Sequence, residues 1–380
     1  MQTSRYIPMH YTATGQSSPT PSSGLDTQMR GHCEDLQESY DKAIQCHRLS
    51  WTGHYHFRKL LGEGGQGEVY LGEYRGTDSF TLPVAIKVFS PKGYSTARRY
   101  GEAMAKIAEI SARIALIQHD HVLDIQNFLE RDRIRMMIME WVDGYDLGRL
   151  IRPNYLSDLE RCVTVRRWRY INDVILTSGT TQSRFKPGVA VAIVRDCLGA
   201  LAALHREGIV HGDVKPSNIM LKRTGHCKLI DMGSALDYRS SSSARYCTPQ
   251  YAAPEVLETR SVTPLSDLAS VGYVLVELLS GRAPFPGQIS QRALLQAKLD
   301  LPQRLCEVLP QEVIRNELLM NFLLGLISPD PNSRFPSAEA ADLVDRGAAA
   351  FQRQLIIGNM ATEYDNDLRL WLEELRHLEV

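Results

Sequence analysis

The chain has 380 residues, 43% of them hydrophobic, enough to build the cores of two lobes plus a tail. Its 43 Lys and Arg against 44 Asp and Glu give a formal net charge of −1, so no global field draws it to nucleic acid or anionic membrane. Seven cysteines without a C-x-x-C pair argue for reduced thiols in the cytoplasm, and with no leader and no apolar run near the ~18 residues a membrane span needs, a soluble protein is expected.

In chain order, residues 1–50 read as an N-terminal extension. Fourteen of the twenty residues from 11 to 30 are Ser, Thr, Pro, Gly or Gln, which predicts disorder to about residue 30. Leu36, Tyr40 and Ile44 then suggest a short helix. His32-Cys33 and Cys46-His47 match no common zinc-ligand spacing and read as ordinary surface residues.

Next comes Leu61-Gly62-Glu63-Gly64-Gly65-Gln66-Gly67-Glu68-Val69, a G-x-G-x-x-G-x-V run, followed by the apolar Val84-Ala85-Ile86 and Lys87. The spacing alone also opens dinucleotide-binding folds. There, however, the glycines lead from a strand into a helix, whereas Val69-Tyr70-Leu71 reads as a second strand. A glycine hairpin whose backbone closes over phosphates is the better reading. Ala103, Ile107, Ile110, Ile114 and Ile117, spaced 4, 3, 4, 3, predict a helix with one core-facing stripe, flanked by Glu102 and Glu109. Met136-Met137-Ile138-Met139-Glu140-Trp141-Val142 predicts a buried strand running into a connector. The stretch 153–187 is long and contains Arg166-Arg167-Trp168-Arg169-Tyr170, readable as a solvated extra helix or as a partner site. Val191, Val194, Leu198, Leu201 and Leu204 mark a further helix ending at Gly208.

Directly after it stands His211-Gly212-Asp213-Val214-Lys215-Pro216-Ser217-Asn218, an H-x-D-x-K-x-x-N word. Asp231-Met232-Gly233, Cys247-Thr248-Pro249-Gln250-Tyr251-Ala252-Ala253-Pro254-Glu255, Asp267 ahead of an apolar run over 268–279, and Arg334 follow. The whole set, in this order over roughly residues 51–345, resembles the eukaryotic-like Ser/Thr protein kinase family.

The resemblance implies an α+β, two-lobed kinase fold: a small mainly β lobe with one helix over 51–142 and a larger mainly α lobe over 143–346. The insertion at about 153–187 and a C-terminal helical extension over 347–380 lie beside that core. It implies ATP under the hairpin of Leu61, Gly62, Glu63, Gly64, Gly65, Gln66, Gly67, Glu68 and Val69, with Ala85 and Met139 in the adenine pocket and backbone groups of Glu140 and Val142 on the adenine edge. Lys87 would bind the α- and β-phosphates and be held by Glu109, preferred over Glu102. Asp213 would accept the substrate hydroxyl proton, Lys215 would contact the γ-phosphate, and Asn218 and Asp231 would hold Mg2+. Lys215 and Thr248 point to Ser/Thr acceptors in protein substrates presented along 248–255. Glu255 is expected to pair with Arg334, and Asp267 to anchor the catalytic loop.

Three departures stand out: Gly212 where the family usually has Arg, Met232 where it has Phe, and Gln66 where an aromatic is common. The first removes the cation that normally receives an activation-segment phosphate, which leaves the role of the serines at 240–243 open. A catalytically inactive scaffold with this fold, or a kinase of small molecules, are the alternatives.

Overall fold

The computed structural model describes residues 25–46, 48–49, 55–240, 247–287, 290–357 and 364–376. Residues 1–24 of the stretch expected to be disordered, and the side chains of His32, Cys33 and His47, lie outside the described residues. Helix α1, Leu25–Gln45, begins inside the stretch expected to be disordered to about residue 30. Leu36, Tyr40 and Ala43 of α1 are buried and Ile44 packs at the edge, so this extension is docked on the first lobe.

That lobe is a sheet ordered β1-β2-β3-β4-β6-β5, from β1 (Arg48–Leu49), β2 (Tyr55–Gly64), β3 (Gly67–Arg75), β4 (Thr81–Phe89), β5 (Ile125–Arg131) and β6 (Ile134–Glu140). All its pairings are antiparallel. The central strand β4 is buried continuously from Val84 to Phe89, as expected for a strand paired on both sides and covered on its faces. Helix α2, Ala97–Ile114, lies between β4 and β5 in sequence and is capped by Thr96, whose hydroxyl accepts the Arg99 N–H at 3.2 Å. The expected stripe is its core face: Ala103, Ile110 and Ile114 are buried, while Ile107 and Ile117 are half-buried. Ile117 lies beyond the helix end, and Tyr100 and Met104 complete the buried face.

After the connector, β7 (Gly144–Asp146) leads into short helix α3 (Leu147–Leu150). The insertion follows as α4 (Pro153–Cys162), α5 (Val165–Tyr170), one π-helical turn (Ile171–Ile175) and the hairpin of β8 (Leu176–Ser178) and β9 (Ser183–Phe185). Helix α6 (Pro187–Arg206) is long and apolar enough to cross a membrane by length and composition, contrary to the expectation that no such run exists. With 72% of that window buried inside the lobe, it reads as a core helix. Strands β10 (Ile209–Val210), β11 (Ile219–Lys222), β12 (Cys227–Leu229) and β13 (Leu236–Asp237) carry the loops that face the cleft. Helix α7 (Pro254–Thr259) precedes α8 (Pro264–Ser280), a central post in which every residue from 266 to 280 is buried. Helices α9 (Gln291–Val308), α10 (Gln311–Ile314), α11 (Glu317–Ile327), α12 (Ala338–Leu343), α13 (Ala348–Ile357) and α14 (Tyr364–Arg376) complete a mostly helical second lobe.

The insertion and the C-terminal extension account for one another. Trp371 of α14 is buried edge-on to Phe185 of β9, ring centroids 6.0 Å apart. Arg167 of the basic run donates to Glu374 at 2.7 Å, and the Tyr170 hydroxyl donates to Asp367 at 2.6 Å. Gly188, at the start of α6, admits Tyr364: a Cβ there would fall 2.0 Å from the phenol oxygen. Within the chain, the basic and aromatic stretch is thus the seat of α14 and not only a solvated helix.

Candidate active site

Strand β4 presents Lys87 to the cleft opposite Val69 of β3 and Met137 of β6. Its side chain is 5% exposed. The ammonium donates to Asp231 and, at 2.9 Å, to Oε1 of Gln66. The expected partner Glu109 is not engaged: it is exposed on the outer side of α2 and makes no ion pair among the described residues. Glu102 faces solvent too and pairs with Arg98 at 2.9 Å. The reason is helical phase. The buried residues Ala103, Met104 and Ile110 fix which face of α2 meets the sheet, and residue 109 is turned by ~100° from Ile110.

The glycine hairpin shows why its residue types are needed. Gly67 adopts φ +136°, and a Cβ would lie 1.9 Å from the Val88 carbonyl oxygen on the neighbouring strand. Gly62, Gly64 and Gly65 instead face open space, with nothing within 4 Å of a built Cβ. Gln66 at the tip bridges inward, its amide nitrogen donating to Ser234 at 3.2 Å while its oxygen accepts from Lys87. Glu68 accepts from the Tyr40 hydroxyl of α1 at 3.4 Å and from Tyr70, so the N-terminal extension touches this hairpin. Leu61 is 47% exposed and Val69 half-buried; Ala85 and Met139 are buried on adjacent paired strands. Glu140 directs its carboxylate away, to Lys228 and to the Asp124 N–H at 2.7 Å, and its own N–H is spent on the Asp124 carbonyl at 3.0 Å. Val142 is half-buried in the connector.

In the loop after β10, Asp213 is the hub. Its carboxylate accepts from the Thr248 N–H at 2.8 Å, the Lys215 ammonium at 2.7 Å and the Asn218 amide at 3.2 Å. Lys215 also donates to the Thr248 hydroxyl at 2.9 Å, and Asn218 to the Asp213 carbonyl at 2.8 Å. From below, the two oxygens of Asp267 accept the N–H groups of His211 and Gly212, each at 2.9 Å, and Oδ2 lies 2.9 Å from His205 Nε2. Burial alone would raise the Asp267 carboxyl; His205 above all, with help from the Gly212 N–H, holds it below the usual range. His211 is fully buried, with Nδ1 3.3 Å from the Asp213 N–H and Nε2 3.0 Å from the Ile230 carbonyl. That pattern selects the Nε2–H tautomer.

Asp231 sits in the left-handed region at φ 61°, ψ 72°, and accepts the Gly233 N–H at 3.1 Å through Oδ1. Burial pushes its carboxyl up, but the Lys87 ammonium more than offsets this, so its pKa falls below the ordinary value. Among the described residues, Asp231 Oδ2 and Asn218 Oδ1 make no hydrogen bond. Two free hard oxygens of this kind suit Mg2+, which takes few protein ligands and completes its shell with phosphate and water. The residues present therefore fit that ion.

The sequence did not single out Ser234, which takes the Gln66 amide, nor Arg113 of α2, which donates to Asp237 at 2.6 Å and to the Glu207 carbonyl. No local signal marks a pair 124 residues apart. The expected Glu255–Arg334 pair forms as a two-pronged bond, 2.7 and 2.8 Å, with the Arg334 side chain fully buried. The serines 241–243 and Arg245 lie outside the described residues.

Residues 55–343 match the protein kinase domain family. The chain is 29% identical over 313 residues to the serine/threonine-protein kinase pkn2 of Myxococcus xanthus, covering 80% of this chain and 33% of that protein. It is 31% identical over 315 residues to the serine/threonine-protein kinase PksC of Streptomyces coelicolor, covering 79% and 50%, and 27% identical over 295 residues to PrkC of Bacillus subtilis, covering 76% and 39%. The matches thus span between a third and a half of those relatives. A match over three quarters of the chain, together with a cleft that joins the glycine hairpin, Lys87, Asp213 and Asp231, places this chain in the protein kinase family.

Proposed function

We propose that the chain is an ATP- and Mg2+-dependent protein kinase that phosphorylates Ser and Thr hydroxyls of protein substrates. The observation that carries this reading is the bonded triangle of Asp213, Lys215 and Thr248, because it joins a proton acceptor, a cation and the start of an acceptor-binding segment at one point. ATP supplies the γ-phosphoryl group and Mg2+ neutralises its oxygens. Asp213 orients the acceptor hydroxyl and takes its proton, while Lys215 spans the acceptor side and the transferring group. Lys87 clamps the α- and β-phosphates, exchanging its bonds to Asp231 and Gln66 for phosphate oxygens. Asn218 and Asp231 would hold the ion with their side-chain oxygens. The hairpin of Gly62, Gly64 and Gly65 covers the phosphates and excludes water.

A cytoplasmic setting is part of the proposal, supported by free thiols at all six described cysteines. The experiment is transfer of radiolabelled γ-phosphate from ATP with and without a protein acceptor. Label on Ser or Thr of the acceptor, lost in Asp213→Asn, is the expected result. Transfer to a small molecule alone, or binding of ATP without turnover, would replace this reading by one of its alternatives.

A further inference from the structure

Lys298 is a lysine with no exposure at all on the inner face of α9. It makes no ion pair among the described residues. Its ammonium donates to the Gln250 carbonyl at 2.7 Å and stands 4.1 Å from the ring centroids of both Tyr273 and Phe285. A buried lysine without an acid partner is costly, and a methionine would fill the same space without that cost. What Lys298 adds is one bond, to the backbone of the segment on which a protein acceptor would lie.

We propose that Lys298 is a positioning residue for the protein acceptor, pinning the backbone at Gln250 from beneath so that the 248–251 surface keeps its shape; this rests on the kinase reading above. Pro249 and Gln250 have exposed side chains, so the segment faces solvent while its carbonyl is held inside. Its neighbours are fixed in the same manner. Ser270 donates to the Tyr251 carbonyl at 2.8 Å, and the Tyr251 hydroxyl donates to buried Glu277 at 2.5 Å. Glu277 in turn accepts from Gln182 of the insertion at 2.9 Å. Thr248 is held by Asp213 and Lys215. Residues 248, 250 and 251 are therefore each tied to a different support: the catalytic loop, α9 and α8. Burial supports this picture, lowering the Lys298 ammonium to about 6, so that it serves near neutral pH mainly as a hydrogen-bond donor. Lys298 touches neither Lys87 nor Asp231, so its effect should separate from nucleotide binding.

The test uses the full chain with Lys298→Met, steady-state kinetics on a serine-containing peptide selected with the wild type, and amide hydrogen exchange. Losing one hydrogen bond should raise the acceptor KM by about fivefold and speed exchange at 249–252 by a similar factor. The KM for ATP and kcat should stay within about twofold, since no group on the phosphates changes. If Lys298→Met does not fold, Tyr251→Phe, which removes one bond from the same segment, must raise the acceptor KM without changing the KM for ATP. An unchanged acceptor KM, or equal losses for ATP and acceptor, overturns the proposal. Should the wild type label no acceptor, the kinase reading falls, and the exchange rates alone decide whether Lys298 pins the segment.

Discussion

Asp213 has three donors on its carboxylate, and each also orients it, so its replacement tests geometry as well as charge. Asp213→Asn is expected to fold and to lose roughly 10²–10⁴-fold in kcat, the range for a general base. A phosphotransfer assay at saturating ATP checks it. Lys87→Met should fall comparably, because it removes the phosphate clamp and leaves Asp231 without its cation. Glu109→Gln should stay within about threefold of wild type, as an exposed carboxylate contributes little. Lys298 gives a pH signature. Its pKa of about 6 lies below the unfolded value of 10.5, so between these values the unfolded chain binds the extra proton. Stability should therefore rise with pH through that window, and Lys298→Met should lose that part of the slope. The other groups facing it, the Cys247 thiol and the Tyr273 hydroxyl, are both pushed up by burial, which keeps them neutral over most of the window. Urea unfolding at several pH values reads this out.

At the scale of elements, α14 and the insertion form one unit. Trp371 is buried against Phe185, and the polar bonds of Arg167 and Tyr170 close its edge. Trp371→Ala is expected to cost about 3–5 kcal/mol, the range for a large aromatic removed from a core. Denaturant unfolding gives that number; a cost under 1 kcal/mol would mean that α14 is only loosely attached. The pair of Glu255 with Arg334 links α7 to the turn before α12. Glu255→Gln leaves Arg334 buried with its carbonyl partners but no anion, so a loss of about 3–5 kcal/mol is expected in the same experiment.

Across the whole molecule, the two lobes are tied at the back of the cleft. Val122 bridges to Leu229, with the Leu229 N–H donating to the His121 carbonyl at 2.8 Å. Arg113 adds a bond from α2 to Asp237 in the segment after Asp231. Gly212 has no side chain with which to make such a link, and Arg113 is the described cation that joins α2 to this segment. Both partners are about a quarter to a third exposed, so a double-mutant cycle on Arg113 and Asp237 should give about 0.5–1 kcal/mol of coupling in stability.

Much of this was legible in the chain. The glycine run, the apolar strand that carries Lys87 and the H-x-D-x-K-x-x-N word depend on fixed local spacing, so the hairpin, the central strand and the hub loop could each be read from a few consecutive residues. The stripe of α2 gave its buried face for the same reason, because periodicity is a local property. Distant partners were legible only where the family resemblance supplied them, as for Glu255 with Arg334 and Asp267 with the catalytic loop. Which acid meets Lys87 depends on how α2 is rotated against the sheet, and that rotation follows from Tyr100 and Met104 as well as the expected stripe. The basic run at 166–170 looked like a solvated helix or a docking surface until α14, some 200 residues on, filled it. Nothing in the sequence singles out Lys298, since burial is decided by what packs over a residue. Spacing along the chain determined the chemistry available, and tertiary packing decided which of those groups meet.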